Sequence, residues 1–146
     1  MTRLLLSGLG AALLVFATAP VVLSGAHAAG GDEARADLLA RYAAEAGADF
    51  PGFSAERGRA LFMGPHAGGK PETPACATCH TPDPRAMGRH YRTGRDILPM
   101  AVSANPDRFT DAADVEKRFG RDCPNVLGRA CTPLEKGDFI TYLSGE

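Results

Sequence analysis

Basic residues are not in excess in this chain. Its 16 Lys and Arg stand against 17 Asp and Glu, a formal charge of −1. With no surplus of cations to neutralise phosphates, the composition argues against nucleic-acid binding. No internal repeat, low-complexity tract or convincing strand pattern is present, which leaves an all-α class of short helices. Long apolar runs are missing too, apart from residues 4–23 behind the weakly basic head Thr2-Arg3. The small-residue exit Ala26-His27-Ala28 predicts a cleaved signal peptide over residues 1–28, rather than a retained membrane anchor. Export to the periplasm follows, with no stable membrane anchor on the mature chain. Loss of Arg3 then makes the mature protein one charge more acidic.

Cysteine is sparse, at four residues, and two of them sit in Cys76-Ala77-Thr78-Cys79-His80. Two thiols at this spacing can each add across a haem vinyl group, and the imidazole that follows is placed to ligate the iron. A thioredoxin-like pair would need a βαβ pattern around it, and a zinc site would need two further ligands at matching spacing; neither is in the sequence. The motif therefore predicts one haem c bound covalently through Cys76 and Cys79, with His80 as proximal iron ligand. Cys123 and Cys131 remain as a pair, either bridged or as two buried thiols. An oxidising compartment permits the bridge, worth about 2–3 kcal/mol for so short a loop.

Helices are predicted over residues 32–46, 54–63, 110–119 and 132–143. Leu38, Leu39, Tyr42, Ala43 and Ala46 make one stripe of the first, with Asp32 as its cap. Ser54 caps the second, whose Gly58 permits close approach of another helix. Thr110 or Asp111 opens the third and Gly120 is expected to close it, leaving residues 122–131 as a loop. Thr132-Pro133-Leu134-Glu135 is a capping box with proline at the first helical position. Residues 81–99 read as irregular chain, in which a carbonyl near Pro82 should accept the His80 Nδ1 proton. Four arginines lie there; Arg92 and Arg95 are the ones best suited to pair with haem propionates. His66 and His90 read as loop histidines rather than ligands.

The order Gly58, Leu61, Phe62, then Cys-x-x-Cys-His, then Tyr142 on the last helix resembles class I cytochromes c. In that family the N- and C-terminal helices cross at this Gly/aromatic contact. The runs Gly52-Phe53-Ser54-Ala55-Glu56-Arg57-Gly58, Arg92-Thr93-Gly94, Asn105-Pro106-Asp107-Arg108-Phe109-Thr110-Asp111 and Gly128-Arg129-Ala130-Cys131-Thr132 are similar to the sphaeroides haem protein family. That resemblance implies a cytochrome c domain over residues 52–146, after an N-terminal helical extension at residues 29–51. It also implies a Cys123–Cys131 disulfide and a dihaem cytochrome c as electron donor. In the family an asparagine beside the first disulfide cysteine is the sixth iron ligand and leaves on reduction, so that ferrous iron binds O2 or NO. Here the residue before Cys123 is Asp122, and the nearest amide is Asn125.

Asp122 is therefore the first candidate for the sixth ligand, Asn125 and Met100 are alternatives, and an open or water-filled position is a fourth. A carboxylate suits ferric iron and weakens when the iron is reduced. Met100 otherwise packs the pocket. The function expected is a periplasmic mono-haem electron carrier with a displaceable sixth ligand. The alternatives are an ordinary His/Met carrier using Met100, or a small haem oxidase or NO-detoxifying enzyme. No acid/base pair at a convincing spacing promotes the enzyme.

Overall fold

The computed structural model describes residues 25–146. In chain order it has α1 (Gly25–Ala46), α2 (Ala55–Met63), α3 (Ala77–His80), β1 (Gly88–Arg89), β2 (Asp96–Ile97), α4 (Ala112–Leu127) and α5 (Pro133–Ser144). Most of the expected signal peptide, residues 1–24, lies outside the described residues. Among the described residues no helix is long and apolar enough to cross a membrane.

The core forms where α2 crosses α5. A Cβ on Gly58 would collide with the Asp138 carbonyl and the Tyr142 Cβ, so glycine is what lets the two backbones approach this closely. Phe62, one turn further on, is fully buried against Phe139 and Tyr142, with ring centroids at 6.0 and 5.8 Å. A buried carboxylate locks the crossing. Asp138 accepts from the Ser54 backbone N–H at 2.7 Å and from Arg57 Nε at 2.6 Å. The Ser54 cap and the reciprocal Thr132/Glu135 capping box form as the sequence predicts.

α1 packs on α5 and adds Leu38 and Tyr42 to the core. It begins earlier than predicted, at Gly25 rather than Asp32. Asp32 is not its cap but an ion-pair partner of the buried Arg35, at 2.6 Å. Arg35 also donates to the Pro106 and Arg108 carbonyls at 2.9 and 3.0 Å, tying α1 to the 105–110 turn.

Two further expectations are corrected. Gly120 does not close the third helix: α4 runs through it to Leu127 and ends at Gly128 in the left-handed conformation. Val115, Phe119, Cys123 and Val126 form a continuous buried stripe along α4, and that burial outweighs the roughly 1 kcal/mol cost of one exposed glycine. Asp122 and Asn125 thus lie on a helix, not in a loop. Residues 81–99 also hold a two-residue antiparallel pairing, with Gly88 opposite Ile97 and Arg89 opposite Asp96. Cys123 and Cys131 are joined as a disulfide, their Cα atoms 5.6 Å apart, which staples α4 to the start of α5.

Candidate functional site

One helical turn presents the whole Cys-x-x-Cys-His motif. The Cys76 carbonyl accepts from the Cys79 and His80 N–H groups at 3.2 and 3.1 Å. Both thiols and the imidazole therefore project from a single short element. Cys76 and Cys79 are free and half-buried. Burial, then the nearby Asp122 charge, pushes the Cys76 thiol up to about 12. A thiol kept protonated is the opposite of the low-pKa thiolate that disulfide exchange requires, so a redox dithiol is disfavoured on chemistry as well as on sequence.

His80 is pulled down to about 4, by burial first and then by the positive charge of Arg108, with Asp122 opposing and Arg118 and Arg121 adding. It is neutral at neutral pH, the form in which imidazole ligates a metal. Its Nδ1 is buried without a hydrogen-bond partner. The expected bond to a carbonyl near Pro82 is thus not made. The turn after His80 explains the geometry. Thr81 has φ of 62° with ψ of 160°, a positive-φ conformation that a β-branched residue adopts only under strain. Its hydroxyl donates to the Asp83 carbonyl at 2.7 Å and turns the chain away from the ring. Phe62 lies beside the imidazole, with centroids 6.4 Å apart.

Two unpaired thiols and a neutral imidazole on one turn, with an aromatic wall beside the ring, fit a covalently held haem. Among the described residues no group of three or more His, Cys, Asp or Glu is arranged to hold a bare metal ion.

Asp122 is close enough for its charge to act on both Cys76 and His80. Its carboxylate is paired with Arg121, at 2.6 and 2.9 Å, and the side chain is 47 % exposed. Asn125 is half-buried one turn further along α4. Its backbone carbonyl accepts from Lys70 N–H at 2.7 Å, and a Cβ on Gly69 would strike that same oxygen. The glycine pair Gly68-Gly69 is what lets the 64–75 loop dock on the end of α4. Met100 is 7 % exposed and belongs to the core cluster; its N–H donates to the Pro84 carbonyl at 2.8 Å.

Arg92 and Arg95 are exposed in the turn of the β1–β2 hairpin. The cations whose charge reaches His80 are Arg108, Arg118 and Arg121, none of which the spacing argument singled out. Arg108 is half-buried and donates to the Pro99 and Leu98 carbonyls at 2.8 and 2.7 Å. The only sequence signal for it is the Asn105-Pro106-Asp107-Arg108-Phe109 run. His66 is not freely solvated: its Nε2 lies 2.9 Å from the Leu61 carbonyl. Nδ1 of His90 accepts from the Arg92 and Thr93 N–H groups, a turn-building role.

Residues 48–143 match a family described only as a domain of unknown function (DUF1924). The cytochrome c-type protein SHP of Cereibacter sphaeroides is 52 % identical over 125 residues, covering 86 % of this chain and 93 % of that protein. Cytochrome c'' of Methylophilus methylotrophus is 46 % identical over 72 residues, 49 % of this chain and 50 % of that one. The fold is similar to the structure of oxidized SHP, an oxygen binding cytochrome c, with a TM-score of 0.72 and 53 % identity over 77 % of this chain and 96 % of that one. It is also similar to oxidized cytochrome c'' from Methylophilus methylotrophus, with a TM-score of 0.66 and 34 % identity over 78 % of this chain and 95 % of that one. With its haem-motif turn, its α2–α5 crossing and this identity along most of its length, the chain belongs to the sphaeroides haem protein family of c-type cytochromes.

Proposed function

We propose that this protein is an exported, periplasmic mono-haem cytochrome c that carries single electrons and opens its sixth coordination position to a diatomic gas. Cys76 and Cys79 hold the haem c through thioether bonds and His80 ligates its iron. The observation that carries this reading is the single turn on which two free thiols and an imidazole kept neutral at neutral pH converge. Bound there, haem c supplies a one-electron iron couple and, when the far ligand leaves, a position for O2 or NO. An oxygen-binding relative supports the gas-binding half.

Within this reading the chain's residues have distinct tasks. Burial keeps His80 neutral and able to donate a lone pair. Phe62, Phe139 and Tyr142 exclude water from its side of the pocket. Arg108, Arg118 and Arg121 supply positive potential that favours added electron density and balances propionate charge. Asp122 is the proposed sixth ligand: it stands on α4 where its charge reaches both Cys76 and His80, and a carboxylate oxygen suits ferric iron and weakens when the iron is reduced. Its salt bridge to Arg121 offers the carboxylate a second resting place once the iron is reduced. Met100 supports an ordinary His/Met carrier as the second reading, since it is buried in the same core. A dihaem cytochrome c remains the proposed electron donor.

Ferric and ferrous absorption spectra, with carbon monoxide added to the ferrous form, decide between the two. Asp122 ligation predicts a high-spin ferrous spectrum, rapid carbon monoxide binding and a changed ferric spectrum in Asp122→Ala. A sulfur-to-iron band lost in Met100→Ala, with Asp122→Ala unchanged, would assign the plain carrier.

A further inference from the structure

Every large apolar side chain left exposed among the described residues lies in one short stretch: Met87 at 50 %, Tyr91 at 41 % and Leu98 at 60 %. That stretch is the β1–β2 hairpin with its flanks. It also carries Arg85, Arg89, Arg92 and Arg95 against Asp83 and Asp96, in a chain whose formal charge is −1. The acids do little to cancel these cations. Arg89 and Asp96 are 3.5 Å apart but 74 % and 66 % exposed, and Arg85 meets Glu146 at the same distance with side chains 55 % and 30 % exposed, where such long, solvated pairs are weak.

The hairpin does not stand free of the haem motif. A Cβ on Gly88 would strike the Cys79 carbonyl and sit 3.0 Å from the His80 Cα, so β1 lies directly on the attachment turn. Its tip is built rather than loose. His90 N–H donates to the Arg95 carbonyl at 2.8 Å, Gly94 N–H donates to His90 at 2.9 Å, and the His90 and Tyr91 rings stack at 5.2 Å.

We propose that this hairpin is the docking surface for the acidic face of a one-electron redox protein, which passes its electron across the Cys79–His80 turn. The inference rests on the haem reading above. The step would transfer one electron from the partner's reduced cofactor to ferric haem, the only bond to change being the weak one to the proposed sixth ligand, whose carboxylate keeps its electron pair on leaving. An apolar centre rimmed by cations suits a brief encounter: the charges steer and orient the partner, and the exposed apolar residues exclude water over a small area. A second copy of the chain docked two-fold on the same patch would set arginines against arginines, so the charge selects an acidic partner instead.

The test uses holoprotein, with reduced flavodoxin as an acidic one-electron donor and dithionite as a small one, followed by stopped-flow. At low ionic strength Arg85→Glu/Arg89→Glu is expected to slow reduction by flavodoxin about tenfold and to flatten its salt dependence. Leu98→Ser should slow it at every salt concentration, whereas Lys117→Glu, a charge reversal on the exposed part of α4, should change it less than about twofold. Absorption spectra should match across all variants, as should dithionite rates at high ionic strength, where the charge of this small anion is screened. Chemical-shift changes on titration with oxidised flavodoxin should fall on residues 85–98. Unchanged flavodoxin rates in Arg85→Glu/Arg89→Glu, or an equal loss in Lys117→Glu, would overturn the proposal. So would binding of the patch to phosphatidylglycerol vesicles with no effect on flavodoxin rates, which would assign it to a membrane surface. A colourless protein, or one that dithionite cannot reduce, would instead remove the haem reading on which the proposal stands.

Discussion

A single methyl group at residue 58 tests how closely α2 and α5 are fitted. Gly58→Ala puts a Cβ against backbone at the Asp138 carbonyl, and backbone cannot swing aside as a flexible side chain can. The expected result is a loss of about 1–3 kcal/mol in urea unfolding, with the helical signal retained below the midpoint. Glu135 is tested by pH. The hydrogen bonds from Arg129 hold its carboxyl down at about 2, from an ordinary 4.5. A carboxyl depressed by folding stabilises the folded state above its unfolded value and loses that contribution as pH falls through the folded value. Stability should therefore decline between about pH 4.5 and about pH 2, and Glu135→Gln should flatten part of that decline. Urea midpoints at pH 6, 4 and 3 (chosen conditions, roughly spanning the window) for both proteins measure it. Glu116 moves in the same direction: burial opposes the shift, but hydrogen bonds from Lys136 and Tyr42 outweigh it.

The connection between α4 and α5 is reinforced three ways. The disulfide spans it, Gly128 turns it in a left-handed conformation, and Arg129 reaches across to Glu135 at 2.6 Å. Cys123→Ser/Cys131→Ser is expected to cost about 2–3 kcal/mol, read as a shift in the denaturation midpoint. If Asp122 holds the iron through the neighbouring turn of α4, the same variant should also broaden the ferric spectrum, because the helix end is no longer stapled. The start of α4 and the N-cap of α5 could be read from the sequence, since such a cap is decided within four residues. The passage of α4 through Gly120 could not. Helix propensity there points to a stop, and what overrides it is burial of Phe119 and Cys123 against residues of distant segments.

At the scale of the whole molecule, the pocket side of the core consists of Phe62, Phe139, Tyr142 and the Cys-x-x-Cys-His turn, with the apolar body of a haem as the expected remaining wall. Cys76→Ala/Cys79→Ala is expected to yield protein without covalently bound pigment and lower in mass by one haem, with reduced helical signal and a lower thermal midpoint. Mass spectrometry and circular dichroism read both. The sequence by itself determined the Cys-x-x-Cys-His turn, a glycine at residue 58 able to admit another helix, and the two strongest helix caps. Each of these depends on a few residues at fixed spacing and on their own local bonds. Only the tertiary structure decided that Asp122 stands on a helix beside Arg121, and that Arg108, Arg118 and Arg121 are the cations whose charge reaches His80. Electrostatic influence falls off with distance through space, not along the chain, and no spacing rule brings residue 108 to residue 80.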